Sequence, residues 1–83
     1  MSAYGTELNH LSRLAPDERV AALAREQYGV ASRRQLRACG LTETAVTRRV
    51  QAGRLVRLHR GVYAVGHAVL RAEGHRLAAV LAA

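Results

Sequence analysis

The chain has no lysine, no tryptophan and no phenylalanine, and only one cysteine and one proline. Its only aromatic residues are Tyr4, Tyr28 and Tyr63, so it offers few platforms on which single-stranded bases could stack. The core must be built mainly from Leu, Val and Ala. Cys39 has no second cysteine with which to close an internal disulfide, and nothing else asks for an oxidising compartment. No apolar run approaches the roughly 20 residues that a membrane helix needs. The N-terminus also lacks the basic segment and apolar run of a signal peptide. The expected location is therefore cytoplasmic, with no membrane partner. His10, His59, His67 and His75 are too scattered, with Cys39, to match the spacing of a metal site. A glycine-rich phosphate loop, clustered carboxylates and a Ser/His/Asp set are all missing as well. No metal, no cofactor and no enzymatic activity are expected.

What is present is a basic, moderately apolar chain of 83 residues, 49% hydrophobic and 23% charged. That balance suits one small globular domain, which buries only about 60 to 65% of the surface its unfolded chain exposes. All thirteen basic residues are arginines, and the formal net charge is +7. The charge is localised. Between Val30 and Tyr63 lie Arg33, Arg34, Arg37, Arg48, Arg49, Arg54, Arg57 and Arg60 against a single acid, Glu43, so this segment alone accounts for the +7. Outside it, Arg13, Arg19, Arg25, Arg71 and Arg76 are matched by Glu7, Asp17, Glu18, Glu26 and Glu73. A basic surface concentrated in this way favours a polyanionic partner.

Residues 1–15 show no sustained period beyond Leu8, Leu11 and Leu14 and are expected to form a partly ordered arm, with the domain proper spanning 16–83. Ala15-Pro16-Asp17-Glu18 places proline and two acids where a helix begins. Val20, Leu23, Ala24 and Gln27 continue it to Tyr28, before Gly29. Val30-Ala31 can add a short strand. Ser32-Arg33-Arg34-Gln35 is a capping-box pattern opening a second helix, with Leu36 and Cys39 facing inward and Gly40 closing it. Thr42 caps a third helix, Glu43 complements its positive end and Leu41 can staple onto Val46. That helix runs to about Ala52. Arg54–His59 and Val62–Val65 are β-rich runs flanking Arg60-Gly61, a hairpin turn in which Gly61 supplies the positive φ. Leu70, Leu77, Val80 and Leu81 recur at helical spacing to the last residue, with Gly74 as a weak spot. The expected fold is α+β and mostly helical: a winged helix-turn-helix with a three-helix core, a hairpin wing and a C-terminal helix.

On the third helix, Val46 and Val50 at spacing four are expected to face the core. Thr44, Thr47, Arg48 and Gln51 then form the opposite stripe. These types suit base edges in a major groove, Arg reading guanine, Gln adenine, and Thr offering a hydroxyl and a methyl. Arg33 and Arg34 at the start of the second helix are expected to hold phosphates. Arg49 stands at the side of the third helix, to reach a phosphate or to stay solvated. In the wing, Arg57 and His59 share one strand face and are expected to point outward, Val56 and Leu58 the other and to pack inward, with Arg54 and Arg60 extending the basic edge. The expected partner is double-stranded DNA. The last helix is left open between covering the core and joining a second copy as a homodimer.

The runs Gly29–Leu36, Gly40-Leu41, Arg48-Arg49-Val50, Gly53-Arg54-Leu55 and Leu58-His59-Arg60-Gly61-Val62-Tyr63-Ala64-Val65-Gly66-His67 are distinctive together. Over residues 18–82 the chain resembles the N-terminal winged helix-turn-helix domain of the AbiE-type antitoxin family, of type IV toxin–antitoxin and abortive-infection systems. The resemblance implies a bacterial DNA-binding module that represses its own operon. It also implies a larger C-terminal domain in typical relatives, through which a cognate toxin would be met. No such domain is expected within these residues. The alternatives are a targeting module of a truncated endonuclease-like protein, or a protein-interaction module whose arginines meet an acidic surface.

Overall fold

Proline at the first helical position and acids in the first turn start α1, which spans Pro16–Glu26 in the computed structural model describing residues 14–66 and 70–83. The Ala15 amide donates to Glu18 Oε1 at 3.1 Å, satisfying one of the open amides at the helix start. The helix ends short of the expected Tyr28. Tyr28 turns into the left-handed region at φ 57°, and the Gly29 amide donates back to the Ala24 carbonyl at 2.8 Å, closing the end as a helix stop does.

From that corner the chain runs through β1 (Val30–Ser32), α2 (Arg33–Ala38), α3 (Glu43–Gln51), β2 (Leu55–His59), β3 (Val62–Val65) and α4 (Ala72–Ala82). The start of α2 is the capping box read from its residues. Ser32 Oγ accepts from the Gln35 amide at 3.1 Å, and Gln35 Oε1 accepts from the Ser32 amide at 2.9 Å. Gln27, at the end of α1, joins this cap: its Nε2 donates to Gln35 Oε1 at 2.9 Å and to the Val30 carbonyl at 3.1 Å. Thr42 Oγ1 caps α3 by accepting from the Ala45 amide at 3.1 Å. Between β2 and β3 the turn is Arg60-Gly61, with φ positive at Gly61 (73°) and not at Arg60. β2 takes up one extra residue between Arg57 and His59, a bulge close to the wing tip.

The three strands form one antiparallel sheet in the order β1-β3-β2. This is the winged helix-turn-helix arrangement: a helix and strand, two helices joined by a short turn, and a hairpin whose returning strand lies between the other two. Both faces of the sheet are covered. Alternate side chains of β1 and β3 serve two clusters. Ala31 and Tyr63 join Val20, Leu36, Cys39, Leu41, Val46 and Leu55 beneath α1 to α3. Val30 and Val62 join Ala78 beneath α4, with Leu58, Leu70, Leu77 and Leu81 packed around them. Leu77 and Leu81 therefore cover the core of their own chain, while Val80 faces outward.

Two sequence expectations about burial change. In β2 the inward residue of the three-helix side is Leu55. Leu58 packs on the α4 side, and Val56 stays half-exposed. In α3, Val46 is buried at 3% exposure but Val50 reaches 37%. A third concerns Gly74. A Cβ on residue 74 would stand 2.7 Å from the Tyr28 carbonyl oxygen and 3.2 Å from Leu70 Cδ2, so the glycine lets α4 lie against the α1–β1 corner. Gly74→Ala gains up to about 1 kcal/mol of helix propensity but overpacks a backbone contact at about 1 to 3 kcal/mol. The expected outcome is a lowered thermal midpoint, where an ordinary helix interior would show a raised one.

The Leu8 and Leu11 positions of the arm, and His67, lie outside the described residues. Among the described residues, no helix is long and apolar enough to cross a membrane.

Candidate nucleic-acid interface

Two short contacts link the wing, α2 and α3. The Arg33 amide donates to the Gly61 carbonyl at 2.8 Å, which brings the hairpin tip beside the start of α2. Arg33 Nη2 lies 2.9 Å from Glu43 Oε1, which brings the start of α2 beside the start of α3. The wing tip, the first turn of α2 and the first turn of α3 thus share one surface.

On α3 the inner face is made by Ala45, Val46 and the stem of Arg49. The exposed residues Thr44, Thr47, Arg48 and Gln51 lie opposite. The expected polar stripe is therefore outward, and Val50 borders it. The reason lies in the helix rotation: with Ala45 and Arg49 flanking Val46 on the buried side, position 50 turns 40° past Val46 toward solvent. Arg34, Arg48, Arg57 and Arg60 are exposed and have no ion pair among the described residues. His59 is exposed at the end of β2, opposite Val62.

Arg33 is exposed as well but is engaged with Glu43. Arg37, one turn further along α2, comes within 3.8 Å of the same Oε1. The sequence pattern does not single out Arg37 as a site residue. Its i, i+4 relation to Arg33 was the available signal, and only the fold shows that both reach Glu43.

Arg49 is set apart from these residues. Its side chain is 20% exposed, it donates through Nη1 to the Ala45 carbonyl at 3.2 Å, and its Nη2 pairs with Asp17 at the start of α1. Hydrogen bonding from Arg49 holds the Asp17 carboxyl below the usual carboxylate range, which favours its ionised form. Arg54 Nη2 approaches the same carboxylate at 3.9 Å. The pair joins α3 to α1 through a half-exposed carboxylate.

Cys39 lies in the core cluster of the helix-turn-helix and borders a groove of about 390 Å³ between α1 and α2. Burial raises its thiol above the ordinary value, which favours the unreactive protonated form. Among the described residues, no three His, Cys, Asp or Glu side chains are grouped so as to hold a metal ion.

No curated protein and no solved structure matches the chain. A family model described as "Transcriptional regulator, AbiEi antitoxin" matches residues 18–66, from the first turn of α1 to the end of the wing and more than half of the chain. With the winged helix-turn-helix fold, this match shows that the chain belongs to the AbiEi antitoxin family of transcriptional regulators.

Proposed function

We propose that residues 16–83 form a module that binds double-stranded DNA with sequence preference and regulates transcription, its own operon being the natural target for an antitoxin-type regulator. One observation carries this reading: the outward stripe Thr44, Thr47, Arg48 and Gln51 starts on the surface that also holds the first turn of α2 and the wing tip. A major groove accepts a helix bearing such side chains, while phosphates on either side are within the province of flanking arginines. Arg48 and Gln51 carry base reading. Arg34, Arg57 and Arg60 carry phosphate contacts, Arg33 and Arg37 adding to them through the N–H groups that Glu43 does not engage. The site of action is wherever the chromosome is, the cytoplasm in a bacterium.

Fluorescence anisotropy on a duplex from the region upstream of its gene, titrated with salt, tests the reading. If roughly five arginines neutralise phosphates, log K falls against log salt with a slope of about −4 to −5. Arg48→Ala is expected to reduce discrimination between duplex sequences by about 1 to 3 kcal/mol at one position. Arg34→Ala is expected to weaken binding evenly across them. A wild-type chain that ignores duplex DNA, or binds it without salt dependence, returns the arginine surface to the acidic-protein alternative.

A further inference from the structure

Glu43 is the only acid between Val30 and Tyr63, and it occupies the end of α3 that a helix-turn-helix presents to base edges. Its side chain is 59% exposed, with Oε1 at 2.9 Å from Arg33 Nη2 and 3.8 Å from Arg37 Nη1. Folding alone gives little reason for a carboxylate there. The helix start is already capped by Thr42, and both the helix dipole and exposed ion pairs are weak at this degree of solvation. Against a phosphate backbone the same carboxylate is repulsive, and it offsets part of the positive charge that Arg33 and Arg37 offer to phosphates. A group that weakens general attraction at the reading end of a helix is what selection against wrong partners requires.

An ionised carboxylate is an acceptor only. Among the base edges of the major groove, guanine presents N7 and O6 and thymine presents O4, all acceptors that would oppose it. Cytosine presents the N4 amino donor, without the adjoining N7 acceptor that adenine carries beside its own amino group. We propose that Glu43 is a specificity-determining residue of this interface: held in orientation by Arg33 and Arg37, its carboxylate accepts from a cytosine amino group and rejects bases that present acceptors at that position. The proposal rests on the duplex-binding reading above. Arg33 and Arg37 have a double part in it, since they orient the carboxylate while their remaining N–H groups stay available to the backbone on either side of the base.

The test compares wild type, Glu43→Gln and Glu43→Asp. Each is used to select sites from a random-sequence duplex pool and is then titrated by anisotropy on the selected site and on a scrambled duplex. Thermal melting establishes that all three are folded. Wild type is expected to enrich cytosine at one position of its site. Glu43→Gln should cut that enrichment about tenfold, tighten binding to the scrambled duplex about fivefold or more and steepen the salt slope by about one as one negative charge is lost beside Arg33 and Arg37. Glu43→Asp, which keeps the charge and withdraws it from the base, should lose the enrichment without the tightening. Base preferences unchanged in both variants overturn the proposal, even if general affinity rises. If wild type binds no duplex at all, the duplex reading and this proposal fall together, a result distinct from intact binding with an indifferent Glu43.

Discussion

The triple substitution Arg34→Ala, Arg57→Ala, Arg60→Ala is expected to weaken duplex binding about 500-fold at 0.1 M salt and to make the salt slope shallower by about 2.7. The figure follows from counterion release. Each neutralised phosphate contributes about −0.9 to the slope, so at a salt concentration tenfold below 1 M each contact is worth about eightfold, and three multiply. These three arginines are exposed and without an ion pair among the described residues, so their removal takes away charge and little packing. Because Arg48 is left in place, preference between sequences should survive the loss of affinity. Arg49→Ala supplies the contrast. Its charge is already matched by Asp17, so the salt slope should stay within about 0.5 of wild type, less than one phosphate contact. A slope unchanged by the triple substitution, or lowered as much by Arg49→Ala, would remove the basis for assigning phosphate contacts to these residues.

Leu36→Ala is expected to cost about 2 to 5 kcal/mol, the range for emptying a well-packed leucine site. Leu36 has 0% exposure and belongs to the cluster holding Ala31, Val46 and Tyr63 together. At about 0.05 to 0.15 kcal/mol per residue, a chain of this length holds about 4 to 12 kcal/mol in all, so this one truncation removes a large part of the whole. Equilibrium urea denaturation should show the midpoint falling steeply, with part of the protein unfolded at 25 °C if total stability lies at the low end. Val50→Ala is the internal control. A reading of α3 from spacing alone makes Val50 a core residue and anticipates a comparable loss. Its 37% exposure instead limits the expected cost to less than about 1 kcal/mol.

Much of the fold was legible because its signals are local. A serine or threonine at a cap, a glutamine three residues later and a glycine at a hairpin tip each satisfy or permit a backbone conformation within a few residues, and no distant neighbour is needed to decide them. Ser32 with Gln35, Thr42 with the Ala45 amide, and Gly61 are such cases, and all three adopt the expected geometry. The C-terminal end of α1 was less legible. Tyr28 is a non-glycine residue in the left-handed region, a conformation that residue type does not announce.

The side-chain arrangement of the candidate site was only partly legible. Exposure of the stripe Thr44, Thr47, Arg48 and Gln51 follows from having any apolar residue on the opposite face, so an error of part of a turn in the inner face left it outward. The inner face itself was misjudged at Val50 because an arginine stem can cover apolar surface while its guanidinium stays polar, and Arg49 does so. Its partner is Asp17, 32 residues away, on a flank whose charges cancel in any count along the chain.

The order of elements, their caps, the wing turn and the concentration of positive charge between Val30 and Tyr63 were determined by the sequence alone, since each depends on residue type and short-range spacing. Tertiary structure decided which arginines are available. Glu43 engages Arg33 and Arg37, Asp17 engages Arg49 and approaches Arg54, and Arg34, Arg48, Arg57 and Arg60 remain without ion pairs among the described residues. It also decided that Gly74 is a point of close approach. The physical reason is common to these cases: an ion pair or a backbone contact depends on distances of a few ångströms between segments far apart in the chain, which packing sets and residue order does not.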